Sequence, residues 1–150
     1  SLSKSHALAG MRVGYAIAQP DLIEGLSRVK DSFNSYPLDV IAQAAATAAI
    51  EDRRWLEGAS KTVREVRDVM SAGLQALGFE VLPSQANFIF TQHTALPGHF
   101  IFDALRARDI LVRRWDKQRI KNWSRISVGT MAQAEQLLGV MREIVSPETG

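Results

Sequence analysis

Residues 1–15, Ser-Leu-Ser-Lys-Ser-His-Ala-Leu-Ala-Gly-Met-Arg-Val-Gly-Tyr, bring Ser1, Ser3, Lys4 and Arg12 together, with Gly10 and Gly14 spaced around the arginine. This is the set of groups that an aldehyde cofactor with a phosphate tail asks of its protein. One lysine amine must be able to form an imine with the aldehyde. Hydroxyls and a guanidinium must hold the phosphate, because the fixed fork of arginine matches phosphate oxygens. Glycine is needed where backbone passes close to a neighbour. A hydrogen bond to a charged group contributes about 1.5–3 kcal/mol net, so three phosphate anchors can retain a cofactor while its imine is exchanged. The plainer alternative is a surface lysine beside a serine-rich terminus, with Arg12 opening an ordinary strand.

Working outward, residues 12–18 (Arg-Val-Gly-Tyr-Ala-Ile-Ala) read as a buried strand, with Tyr15 as a core aromatic near its end. Pro20 and Asp21 then open a helix through about Phe33, with Leu22, Ile23, Leu26 and Val29 on one face. Residues 34–38 contain Pro37 and read as extended. Asp39 caps an alanine-rich helix over 40–50. A long helix over about 52–77 repeats Trp55, Val63, Val66, Met70, Leu74 and Leu77 at helical spacing, and Gly78 supplies its left-handed stop. Strands are predicted over 79–82 and 86–91, a helix over 97–108, and strands over 110–114 and 123–128. Thr130 with Gln133 gives a capping-box start to the last helix. A domain boundary is expected near residues 38–51. The part before it has one strand, too little for a sheet, and the chain opens at Ser1 without a methionine, so we expect a piece of something larger.

Composition narrows the class. Apolar residues make up 46% and charged residues 23%, with a net charge of only +2, which is ordinary for a globular domain. Acidic and basic residues are interleaved, as in Glu51-Asp52-Arg53-Arg54, which describes solvated helix faces and not a nucleic-acid footprint, despite the basic isoelectric point. There is no cysteine, which excludes disulfides and thiol chemistry and fits a cytoplasmic protein. No apolar run is long enough to span a bilayer. His6, His93 and His99 lack metal-ligand spacing, so no metal is expected. Trp55, Trp115 and Trp123 read as packing residues.

The pattern S-x-S-K followed by L-A-G-x-R-x-G-Y resembles the lysine signature of the fold-type-I pyridoxal-phosphate-dependent aminotransferases (class I/II). The resemblance implies that Lys4 carries pyridoxal 5'-phosphate and shuttles a proton, and that Ser1, Ser3 and Arg12 bind the cofactor phosphate. A second segment, Trp-Ser-Arg-Ile-Ser-Val-Gly-Thr at 123–130, is similar to the family's R-I-[ST]-x-G segment, whose arginine binds the substrate α-carboxylate; the matching residue is Arg125. Ile-Leu-Val-Arg at 110–113 resembles the strand where the histidinol-phosphate branch places a phosphate-binding arginine. Arg113 is the match there, with Arg114 leaving the register open by one. Tyr36-Pro37-Leu38 and Ala86-Asn87-Phe88 point to the same branch.

The fold class implied is α/β, with an α+β small C-terminal domain over 46–150, including a long linking helix, and residues 1–45 as a remnant of the large cofactor-binding domain. The function implied is transamination between histidinol phosphate and 2-oxoglutarate in histidine biosynthesis, by a cytoplasmic homodimer acting on a small-molecule amino donor and a 2-oxo acid. Threonine-phosphate decarboxylase and aromatic aminotransferases share much of this half, and a non-catalytic stand-alone module is a further alternative. The family's pyridine-stacking aromatic and ring-nitrogen aspartate belong to a preceding segment, so the 150 residues alone are expected to be inactive or nearly so.

Overall fold

Asp39 begins the helix that the opening segment packs on. Its Oδ1 accepts a hydrogen bond from the Ala42 amide at 2.8 Å, satisfying one orphan donor of the helix over Val40–Glu51. In the computed structural model, which describes residues 1–146, the chain divides into two compact units, Ser1–Ser60 and Lys61 onward. In the first unit α1 is a single turn, Leu2–Ser5, followed by a 3-10 turn, Ala9–Met11. Then come α2, Pro20–Phe33, and α3, Val40–Glu51; the long α4, Arg53–Ala76, starts here and runs on into the second unit. The core of this unit is small: Leu2 and Val13 bury against Ala42 and Ala46, with Leu8 and Met11 partly covered beside them. Two alanines one turn apart on α3 leave no bulk between the helix and the opening segment, so that segment can lie close.

Two expectations for this unit need correction. Residues 12–18 do not form a strand. Arg12 sits in the left-handed region at φ 55°, Val13 is buried, and Tyr15 and Ile17 are 63% and 89% exposed. A strand exists only through ladder bonds to a neighbour, and among the described residues this unit contains no other strand to supply them. Tyr15 is therefore not a core aromatic. The apolar face of α2 forms at the predicted spacing, with Pro20 in its first turn, yet Leu22, Leu26 and Val29 remain exposed.

The second unit is a four-stranded antiparallel sheet with helices against one face. Its strands are β1 (Phe79–Val81), β2 (Phe88–His93), β3 (Arg113–Arg114) and β4 (Ser124–Ser127), in the order β1-β2-β4-β3. Val66, Met70 and Leu74 of α4, Ile101 and Leu105 of α5 (Gly98–Arg106), and Ala134, Leu137 and Met141 of α6 (Met131–Val145) close over Ile89 and Ile126 of the sheet. Side chains alternate along a strand, so burying Ile89, Thr91, Ser124 and Ile126 turns Phe88, Phe90, Arg125 and Ser127 to the other face.

The stop and start signals of the sequence are present. Gly78 takes φ +84°, and Thr130 and Gln133 form the reciprocal capping box at 3.3 and 2.9 Å. The strand expected over 110–114 contracts to Arg113–Arg114. Asp109 turns left-handed at φ 58°, and the Ile110 amide is spent on the Leu105 carbonyl at 3.0 Å, closing α5. The strand expected from residue 86 begins instead at Phe88. Buried Arg67 on α4 donates from its guanidinium to the Ala86 carbonyl at 3.0 Å, which withdraws that residue from the ladder.

Gly98, the first residue of α5, lies against residue 122, just before β4. A Cβ there would overlap the Asn122 backbone, 2.6 Å from its carbonyl oxygen. A Cβ on Gly73 inside α4 would first meet the Leu138 side chain, its methyls at 2.6 and 2.7 Å and its Cγ at 3.2 Å, and a side-chain end can swing aside. Gly98→Ala is expected to cost about 1–3 kcal/mol or more, because backbone cannot retreat as a methyl can. Gly73→Ala should be offset by up to about 1 kcal/mol of helix propensity. Urea denaturation midpoints measure the difference, and equal midpoints for the two variants would contradict this packing.

Candidate active site

Each unit carries one cluster of charged and polar side chains suited to chemistry. In the first, Leu2 is the anchor. Its side chain is 1% exposed, and its amide donates to the Val13 carbonyl at 3.2 Å, which ties α1 to the backbone just after Arg12. The close approach is felt at Gly14, where a Cβ would stand 3.8 Å from the Ser1 Cα. Ser1 caps α1: its Oγ accepts from the Ser3 amide at 3.4 Å, and the two hydroxyls lie 3.2 Å apart. Lys4 is exposed, and among the described residues no carboxylate pairs with it. Arg12 is held left-handed and spends one guanidinium N–H on the Ala9 carbonyl at 3.1 Å, with no partner for its other donors among the described residues. A non-glycine residue at positive φ costs about 1–2 kcal/mol, and such strain persists where surrounding structure enforces it. Here the enforcing contacts are the burial of Val13 and the bond from Leu2. His6 stacks on Trp55, ring centroids 6.4 Å apart, beside this segment.

The donor set fits a phosphate monoester. Among the described residues no acid pairs with the guanidinium beside the two neighbouring hydroxyls, and an accessible amine is next to them in sequence. Residues 1–15 were legible in the sequence as a set of groups, but not as a one-turn helix followed by a left-handed arginine.

In the second unit, the register pairs Arg113 directly with Arg125 across β3 and β4, and Arg125 with Phe90 across β4 and β2. Cross-strand partners share a face, so the two guanidinium-bearing residues stand side by side on the helix-free face of the sheet. Arg114 points elsewhere: its Nε donates to the Lys121 carbonyl at 2.7 Å and its head lies 3.6 Å from Asp116. Of the two candidates at this position, Arg113 is the neighbour of Arg125. No carboxylate pairs with Arg113 or Arg125 among the described residues.

Aromatic rings surround them instead. The Arg125 guanidinium carbon lies 5.4 Å from the Phe88 ring and 5.6 Å from that of Trp115, and Arg113 lies 5.5 Å from Trp115. Phe90 stacks on Trp123 at 4.9 Å and meets Trp115 edge-on at 6.2 Å. Trp115 and Trp123 were read as packing residues alone. Their parity carried the signal, since Trp115 stands two after Arg113 and Trp123 two before Arg125, which places each on its arginine's face of the strand. Among the described residues no group of histidine and carboxylate side chains could hold a metal ion, and no helix is long and apolar enough to cross a membrane.

A histidinol-phosphate aminotransferase of Acetobacter pasteurianus is 52% identical over 145 residues, covering 97% of this chain and 41% of that protein. Histidinol-phosphate aminotransferase 2 of Gluconobacter oxydans (strain 621H) is 53% identical over 149 residues, covering 99% and 42%. The chain thus spans well under half the length of the relatives it matches. The crystal structure of histidinol-phosphate aminotransferase from Sinorhizobium meliloti in complex with pyridoxal-5'-phosphate superimposes with a TM-score of 0.80 at 24% identity, covering 97% of this chain and 39% of that one, and so shares the fold. The family pattern described as aminotransferase class I and II matches residues 1–141, nearly the whole chain. With a match of that extent, this chain belongs to the class I and II aminotransferases.

Proposed function

We propose that the protein to which these residues belong is a pyridoxal-phosphate-dependent aminotransferase that exchanges the amino group of histidinol phosphate with 2-oxoglutarate. The observation that carries this reading is Arg113 and Arg125, paired across two strands with no acid to neutralise them among the described residues. The names of relatives at 52% and 53% identity support it. The two substrates present different anions beside the reacting carbon, an α-carboxylate in 2-oxoglutarate and a phosphate in histidinol phosphate. One arginine fork suits a planar carboxylate, and a second adds donors for a phosphate with more charge and more oxygens.

Ser1, Ser3 and Arg12 would hold the cofactor phosphate, and Lys4 would be its covalent attachment point. Bound pyridoxal phosphate supplies an aldehyde that takes up the substrate amine and a conjugated ring that draws electron density from Cα. Arg125 would bind the anion beside the reacting carbon, the phosphate of histidinol phosphate or the α-carboxylate of 2-oxoglutarate, and with histidinol phosphate would fix the direction of the Cα–H bond, which lowers the entropy cost of proton removal. The Lys4 amine then takes the proton from Cα as general base. Its exposure and its freedom from carboxylate partners among the described residues leave it able to move between roles. A cytoplasmic homodimer is the assembly this reading carries with it, and residues 1–45 and 46–150 would belong to the large and small domains.

The test is covalent labelling. Added pyridoxal phosphate followed by borohydride reduction should label the Lys4 peptide, and the intact protein should transaminate histidinol phosphate. The 150 residues alone are expected to transaminate no faster than free pyridoxal phosphate does with amines. A label spread over many lysines, or an intact protein inactive toward histidinol phosphate, would refute the assignment.

A further inference from the structure

Two guanidinium groups directly opposite on adjacent strands repel each other, and like charges in that position destabilise a sheet. Arg114, next in sequence, escapes by bonding to the Lys121 carbonyl and Asp116. Arg113 and Arg125 have no such acid among the described residues, yet both lie within 5.6 Å of one ring, the indole of Trp115. That indole is itself fixed: Phe90 meets it edge-on at an interplanar angle of 71°, and Phe90 lies nearly parallel to Trp123. The result is a rigid aromatic floor on the open face of the sheet.

An aromatic face attracts a cation through its quadrupole without using hydrogen-bond donors. A carboxylate holding the same arginine would occupy its N–H fork and compete with any ligand. A ring engages the flat π face of the guanidinium and leaves the in-plane donors outward. We propose that Trp115 is a positioning residue, holding Arg113 and Arg125 side by side so that both donor edges meet one anionic group of the substrate. This rests on the reading of those two arginines as substrate-anion ligands, and it adds a residue that acts through them. The property required at position 115 is an aromatic face, not bulk. Phenylalanine should serve, and leucine should not.

The test uses the intact protein with pyridoxal phosphate bound, so that the cofactor's own phosphate site is filled, and inorganic phosphate as the probe in calorimetric titration. An Arg125→Ala control identifies the binding that belongs to this pair. Trp115→Leu is expected to weaken that binding about tenfold, the scale of a well-placed cation–π contact, while Trp115→Phe stays within about threefold of the parent. In turnover, Trp115→Leu should raise KM for the phosphorylated substrate by a similar factor and leave kcat within about twofold, which lost folding would not do. If the leucine variant is unstable, Trp115→Met fills the same space without an aromatic face and repeats the measurement. Equal phosphate affinity in the phenylalanine and leucine variants would overturn the inference, as would phosphate binding indifferent to Arg125→Ala or no binding at all. If the affinities follow the expected order and histidinol phosphate is not turned over, the role of Trp115 stands and the proposed substrate falls.

Discussion

Lys4→Ala is expected to lower kcat of the intact protein by about 10²–10⁴-fold, the range lost when a positioned proton-transfer group is removed. It should also abolish borohydride labelling of the first peptide. Stability should barely move. Lys4 is exposed, and the contacts that fix its segment belong to its neighbours: the buried Leu2 side chain, the bond from Leu2 to Val13, and the Ser1 cap. Surface substitutions away from such contacts change stability by no more than about 0.5 kcal/mol. Lys4→Arg sharpens the test. It keeps the charge and most of the length, but a guanidinium does not give up its proton in a protein, so it can serve neither as imine nor as base. Both variants should therefore be equally inactive. Appreciable turnover by Lys4→Arg would show that position 4 contributes only positive charge, and another lysine would have to carry the chemistry.

What the sequence disclosed, and what it did not, follows the range of the interactions involved. Asp39 as a helix cap, Gly78 as a left-handed stop and the Thr130–Gln133 box were legible because each is settled within four residues. The identities of Ser1, Ser3, Lys4 and Arg12 were legible as a motif, whereas their conformation was not. Valine, tyrosine and isoleucine over 12–18 have the propensity of a strand, but strand formation depends on a partner elsewhere in the chain, and that segment lies uncovered past Val13. Arg12 at φ 55° is likewise enforced by packing, through Val13 against Ala42 and Ala46, and arginine has no local preference for that region. The pairing of Arg113 with Arg125 is a matter of register between strands ten residues apart in sequence, which local pattern leaves open by one. Only the structure separates Arg113, on the aromatic floor, from Arg114, turned toward Lys121 and Asp116.

That separation leads to the second large effect. Arg125→Ala is expected to lower kcat/KM for both 2-oxoglutarate and histidinol phosphate by about 10²–10⁴-fold, since two charge-assisted hydrogen bonds at about 1.5–3 kcal/mol each are lost from whichever anion binds. Arg125→Lys should fall between, because an ammonium keeps the charge and loses the planar fork. Arg113→Ala should divide the substrates. A carboxylate offers two oxygens in one plane and can be satisfied by Arg125 alone. A phosphate monoester has three terminal oxygens and nearly two charges, and its third oxygen and second charge are what Arg113 is placed to meet, directly across the strand pair. Arg113→Ala is therefore expected to raise KM for histidinol phosphate by about 10–100-fold while 2-oxoglutarate stays within about threefold. Arg114→Ala serves as the adjacent control and should discriminate between the substrates in neither direction, because its guanidinium is committed to the Lys121 carbonyl and Asp116. Steady-state kinetics of the three variants with each substrate decides the matter. If Arg113→Ala penalises both substrates alike, the second arginine contributes general positive potential and the phosphate must be recognised elsewhere. If it penalises only the phosphate, selectivity between the two half-reactions depends on a single cross-strand pair, because the sheet register keeps both guanidinium groups at the same anion.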